Sequence, residues 1–162
     1  MAKIIDKSLL QNLTRAAQRS PRQRSNHNIH PDLADPIQRF LNAIEPESYI
    51  RPHRHSGEGR WELFSILSGA VLILILDEQG VVLDRVELDA NGGNRVIEIP
   101  SGVWHTLAAL APETVLLELK PGPYAALTDK DFASWAPVEG DSAAALLLSR
   151  YKHVSVGDCL AR

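Results

Sequence analysis

An all-β fold, arranged as a sandwich or a small barrel and flanked by a helix at either end, is predicted by three observations. From about Gln38 onward, short apolar or alternating runs follow one another, divided by Gly, Pro, Asn and Asp. No helical periodicity interrupts these runs between Arg39 and Lys120, which argues against a parallel sheet with crossover helices. The longest unbroken apolar run, Ala70–Leu76, is far shorter than the roughly 20 residues of a bilayer-spanning helix, so no membrane partner is expected.

The elements follow in order. Residues 6–19 read as a helix: Asp6 can cap it, and Leu9, Leu10, Leu13, Ala16 and Ala17 recur at helical spacing. Ser20-Pro21 stops it, because the residue before proline is pushed out of the helical region. Residues 21–36 are polar and broken by Pro21, Pro31 and Pro36, and read as an ordered loop or an edge segment. Strands are expected at Arg39–Ala43, Ser48–His55, Trp61–Leu67, Ala70–Asp77, Val81–Leu88, Arg95–Ile99, Trp104–Leu110 and Thr114–Lys120. Asp77-Glu78-Gln79-Gly80 reads as a hairpin turn. After Pro121-Gly122-Pro123 the chain is irregular, and residues 142–152 form a final helix, with Arg150 and Lys152 suiting its last turn. The expected division is a helix and polar segment over 1–37, a barrel over 38–125 and an extension over 126–162.

Composition places the 162-residue chain among ordinary globular domains: 44% of residues are hydrophobic and 23% charged, with a formal net charge of −3. The charge is uneven. Residues 1–24 carry six basic side chains (Lys3, Lys7, Arg15, Arg19, Arg22, Arg24) against Asp6 alone. No aromatic residue is interleaved among them and the pI is near 6.1, so this face is expected to dock on the acidic body rather than on nucleic acid. Cys159 is the sole cysteine, which excludes an intrachain disulfide and a zinc–thiolate cluster. With no apolar stretch after Met1-Ala2-Lys3, a cytoplasmic location is expected.

The chemistry concentrates in Arg51-Pro52-His53-Arg54-His55. On a strand, residues two apart share a face, so His53 and His55 point together, with Tyr49 and Arg51 on the same side and Arg54 opposite. Two neighbouring imidazoles repel when both are protonated and are comfortable when both are neutral around a shared cation. Glu62 shares a face with Phe64 and Ile66, a costly place for a carboxylate unless it is paired or metal-bound. Glu58 is a second carboxylate within reach of the pair. Pro100-x-Gly102 makes a tight turn before His105, which begins a strand. His53, His55, Glu62 and His105 could close around one divalent transition metal. Mixed imidazole and carboxylate donors suit Fe, Mn, Ni, Zn or Co alike.

His53-x-His55, Glu62-x6-Gly69 and Pro100-x-Gly102-x2-His105 resemble the two motifs of the cupin superfamily. The chain departs from them at Glu47 and Asn94, where each motif opens on Gly, at Ala109, where the second closes on Asn, and in the longer gap Ser56–Trp61. Ser20-Pro21-Arg22, Asn28-Ile29-His30, Gln38-Arg39, Leu41-Asn42-Ala43, Ser48–His55, Ile99–Thr106 and Gly122-Pro123-Tyr124 are similar to the WbuC family of cupin fold metalloproteins. That likeness spans about residues 3–140. It implies a double-stranded β-helix, or jelly-roll barrel, with a metal in its mouth, and a setting in bacterial O-antigen polysaccharide metabolism.

A barrel of this kind leaves its cavity open at one end. If the segment before it folds over that mouth, Arg22, Arg24, Asn28, His30, Gln38, Arg39 and Asn42 could bind an anionic or hydroxyl-rich small molecule such as a sugar, sugar acid or nucleotide sugar. Arginine suits carboxylate or phosphate by its bidentate fork. Arg51, Glu118 and Lys120 are further candidates by strand parity, while Trp104 and Phe64 shape wall or core. For an isomerase or epimerase, Tyr49 or His30 would supply the base. The other readings are an Fe(II) dioxygenase and a non-catalytic binding or sensing module. The apolar run Ala143–Leu148 is either a packing arm or a homodimer contact.

Overall fold

The computed structural model describes residues 2–161. Eight strands and two principal helices run in the order α1 (Lys7–Arg19), β1 (Arg24–Asn28), β2 (Ile37–Ile44), β3 (Glu62–Ser68), β4 (Ala70–Leu76), β5 (Val82–Asp89), β6 (Val96–Ile99), β7 (Trp104–Ala109), β8 (Thr114–Pro121) and α2 (Ser142–Tyr151), with one 3-10 turn at Asp129–Asp131. Every strand pair is antiparallel. One sheet has the order β1-β2-β8-β3-β6 and the other β5-β4-β7. The sheets face each other across Ile44, Phe64, Ile66, Val71, Ile73, Leu88, Leu107 and Leu116. This is the all-β cupin architecture with a helix at each end.

Alternation along the strands explains how each sheet acquires a second layer. In β2, Leu41 and Ala43 face outward and are joined by Val115 of β8; Leu13 and Ala17 of α1 close over them. The carboxylate of Asp6 accepts the amide N–H of Leu9 at 2.8 Å and starts that helix, as its cap position predicts. Burial of a leucine such as Leu41 contributes about 1.5–3 kcal/mol. The run Ala70–Leu76 is apolar throughout because β4 is covered on both sides. Val71 and Ile73 point between the sheets, while Leu72, Leu74 and Leu76 meet Ala144, Leu147, Leu148 and Tyr151 of α2. Half of the apolar run of α2, Ala144, Leu147 and Leu148, packs inside the chain, and Ala143, Ala145 and Leu146 are exposed. Between β3 and β4, Gly69 sits at φ +72°, and a Cβ there would lie 2.8 Å from the Thr114 Cα, so the turn requires glycine.

One expectation sharpens and one changes. Residues 24–28, within the stretch read as an ordered loop or an edge segment, form an edge strand, β1, on β2. Ser48–His55, expected as a strand, joins no sheet ladder. Pro52 has no N–H to donate, and pairing is confined to isolated bridges from His53 to His105 and to Phe132. The bridge is nevertheless firm: His53 N–H donates to the His105 carbonyl at 3.0 Å and its carbonyl receives the reciprocal bond at 2.8 Å. On the other side, Arg54 N–H donates to the Asp131 carbonyl and Ala133 N–H to that of Pro52, both at 2.9 Å. The segment is thus held between β7 and the chain that leads to α2.

Candidate metal centre

The two sheets and the bridged segment converge at one end of the barrel. Glu62 opens β3, His105 is the second residue of β7, and His53 and His55 come from the bridged segment. Their four candidate ligand atoms all lie within 4.8 Å of one another. Glu58 is exposed and outside the cluster, so the nearby carboxylate is that of Glu62.

The backbone sets the imidazole tautomers. Nδ1 of His53 lies 2.9 Å from the Arg51 carbonyl, and Nδ1 of His105 lies 3.0 Å from that of Val103. A carbonyl only accepts, so each Nδ1 carries the proton and each Nε2 keeps its lone pair. His55 Nε2 approaches one oxygen of Glu62 at 2.9 Å, and His105 Nε2 approaches the other at 3.0 Å. Neither contact has hydrogen-bond alignment. His55 Nε2, His105 Nε2 and Glu62 Oε2 are all buried without a hydrogen-bond partner. Donors about 2.0–2.2 Å from a shared ion sit about 3 Å apart across a right angle. The donor set, its tautomers and its spacing therefore fit a divalent transition metal.

Electrostatics agree. Burial, with the neighbouring His105, lowers the His53 pKa to about 3, so this imidazole stays neutral. Lys120 Nζ lies 3.3 Å from Glu62 and 2.9 Å from Glu118. One ammonium between two carboxylates offsets only one of them. Burial, reinforced by the Glu62 charge against the pull of Lys120, pushes Glu118 up to about 8. Asn42 donates its amide N–H to Glu118.

His53, His55, Glu62, Asn42, Glu118 and Lys120 line a cavity of about 240 Å³, whose wall also includes Arg24, Phe40, Ile44, Phe64 and Tyr124. Of the polar set expected from the sequence, Arg24 and Asn42 reach this cavity, and Glu118 and Lys120, expected by parity alone, line it as well. The others do not reach it. Arg22 pairs with Glu139 at 2.6 Å and Arg39 with Asp35 at 2.7 Å. Arg51 donates to the Ala133 carbonyl and lies 5.2 Å over the ring of Phe132. Arg54 turns away, 4.5 Å over Trp104. Tyr49 is buried beside Tyr151, where its hydroxyl donates to the Pro137 carbonyl. Burial raises it to about 12, and it takes no part in the cavity wall. Asn28, His30 and Gln38 border a neighbouring chamber instead. Phe40 and Tyr124 are wall residues that sequence reasoning misses. Parity with Gln38 and Asn42 is a signal that could find Phe40, while Tyr124 needs the fold of the segment after β8.

Comparison with known proteins follows the same line. The model of the family described as "Domain of unknown function (DUF6016)" matches residues 5–88. No curated protein matches the chain. Among solved structures, the chain is similar to a cupin superfamily protein from Desulfitobacterium hafniense (16% identity, 67% of this chain and 86% of that one, TM-score 0.50). It is similar to KdgF from Halomonas sp. (15% identity, 66% and 85%, TM-score 0.50) and to TT1209 from Thermus thermophilus (18% identity, 74% and 97%, TM-score 0.50). At such identities the likeness concerns the fold. Among the described residues no helix is long and apolar enough to cross a membrane. With more than half of its length matched by that family model, the chain belongs to the DUF6016 family, and it wears the family's sequence on a cupin fold.

Proposed function

We propose that this protein holds one first-row divalent metal through His53, His55, Glu62 and His105, and uses it to engage a small anionic molecule. The observation that carries this reading is the convergence of four ligand atoms within 4.8 Å of one another, with His55 Nε2, His105 Nε2 and Glu62 Oε2 buried and without a hydrogen-bond partner. Leaving three buried polar atoms unmatched is costly, at about 1–3 kcal/mol each, unless a cation completes them.

The charge balance favours an anion. With a dication bound, three neutral imidazoles, the Glu62 carboxylate and the Lys120 ammonium leave the cavity positive even when Glu118 is ionised. When bound, such an ion supplies Lewis acidity toward a carbonyl or hydroxyl oxygen. Lys120 would donate to the ligand's oxyanion, and Phe40, Ile44 and Phe64 exclude water. Glu118, close to Lys120 and Asn42, is the side chain placed to hold or release a proton there, as an isomerase or epimerase would need. A sugar acid fits this set. The residue-level similarity to WbuC-type proteins supports a place in bacterial polysaccharide metabolism for the same reading.

The test is elemental analysis of protein purified without an affinity tag. Near-stoichiometric Fe, Mn, Ni, Zn or Co is expected. The double substitution His53→Ala/His105→Ala should abolish it while far-ultraviolet circular dichroism stays unchanged. Metal content that survives the double substitution would place the ion elsewhere.

A further inference from the structure

Beside the metal cavity lies a second chamber of about 430 Å³. The two share Phe40, Lys120 and Tyr124 as a common wall. The metal cavity alone, at about 240 Å³, is smaller than the roughly 300–1,000 Å³ of ordinary small-molecule sites, whereas the chamber falls within that range.

The chamber has its own polar chemistry. His30 is 5% exposed. Its Nδ1 lies 3.0 Å from the Arg39 amide nitrogen and 2.9 Å from the Arg39 carbonyl, so the backbone satisfies that edge of the ring in either tautomer. Nε2 is buried with no hydrogen-bond partner, on a ring that borders the chamber. Asn26 and Asn28, linked by an amide hydrogen bond of 3.1 Å, present side-chain amides from the edge strand β1. Phe40 forms an aromatic wall, and the half-exposed Tyr124 stands at the rim, its N–H tied to the Leu33 carbonyl at 2.7 Å. Neutral donors and acceptors beside aromatic faces match a hydroxylated ring, which offers hydroxyls at its edge and C–H groups on its face. Lys120, the one cation in both linings among the described residues other than the imidazoles, marks the junction where an anionic group would sit.

We propose that this chamber is a second subsite, which takes the neutral, glycosyl-like part of a ligand whose carboxylate end occupies the metal cavity. The ligand is then a two-part sugar acid rather than a single small anion. This rests on the metal-site reading above.

The experiment compares gluconate, a carboxylate with an α-hydroxyl, with lactobionate, the same acid bearing a galactosyl ring. Both are titrated calorimetrically into metal-loaded protein. Lactobionate is expected to bind at least tenfold more tightly. Asn26→Ala and Asn28→Ala, both at exposed positions outside the metal cavity, should together erase that difference while metal content and gluconate affinity stay unchanged. The ¹⁵N resonance of His30 Nε2 should shift on adding lactobionate and stay in place with gluconate. Equal affinities, no binding of lactobionate, or an unmoved His30 signal would overturn the subsite. Loss of metal retention in the parent protein would instead strike the metal-site reading and is scored separately by elemental analysis.

Discussion

Two ionic clusters lie on either side of Arg24, and they are built on opposite terms. At the surface, Arg22 and Arg24 grip Glu139 at 2.6 and 2.7 Å, and the acid receives a hydrogen bond from each. In the barrel mouth, Glu62, Glu118 and Lys120 crowd together with three imidazoles, and several polar atoms stay unmatched. The outer cluster is a clamp between the start of the chain and its C-terminal extension, saturated by its own members. The inner one is arranged for a guest. Burial separates the two: solvent forgives an imperfect surface pair, whereas an unmatched buried group is kept only if something else completes it.

Removing charges from each cluster should reveal this contrast. The largest effect is expected for Lys120→Met, which leaves the buried carboxyl groups of Glu62 and Glu118 without their shared ammonium. Urea unfolding should show a loss of about 3–5 kcal/mol, as for other broken buried pairs, and Lys120→Met/Glu118→Leu should recover much of it. A double variant no more stable than the single would show that the ammonium is not balancing Glu118. Next comes Arg24→Met. Its guanidinium also donates to the Tyr49 carbonyl at 2.9 Å, so a loss of about 1.5–3 kcal/mol is expected by the same measurement. The smallest effect belongs to Glu139→Gln, about 1 kcal/mol or less, because the pair is open to water.

That last contribution has a pH signature. Burial would raise Glu139, but the two guanidiniums outweigh it and hold its carboxyl below the usual 4.5. A carboxyl lowered in the folded state stabilises above its unfolded pKa, and the gain fades as pH drops through the folded value. The difference between parent and Glu139→Gln should therefore be full at pH 7 and shrink below about pH 4.5. A difference independent of pH from 7 down to 3 would mean that the clamp is not ionic.

Much of the barrel is legible in the sequence because period-2 alternation is a local property. Leu41 and Asn42 declare opposite faces of β2 without reference to the rest of the fold, and Glu62, Phe64 and Ile66 do the same on β3. Parity fails where the backbone leaves the ladder. Counting in twos puts Tyr49 with His53, but the irregular segment around Pro52 turns Tyr49 into the core beneath α2. Three arginines of the expected polar set turn elsewhere for another reason. Arg22, Arg39 and Arg51 find acids or carbonyls of their own, and such partners lie 117 residues away in one case and four in another. Nothing local announces them. The chamber beside the metal cavity is equally invisible in sequence, since it exists only once β1 docks on β2 and the chain after β8 returns past Leu33.

The bond network around His53 carries a lesson for anyone trimming this protein. One imidazole donor is sewn on one side to β7 and on the other to Asp131–Ala133, near the beginning of what sequence alone marks as an appendage. That tail works as a splint for the donor it touches. A shortened chain that stops before Asp131 would keep all four candidate ligands in its covalent sequence, yet it would leave one of them braced on the β7 side alone.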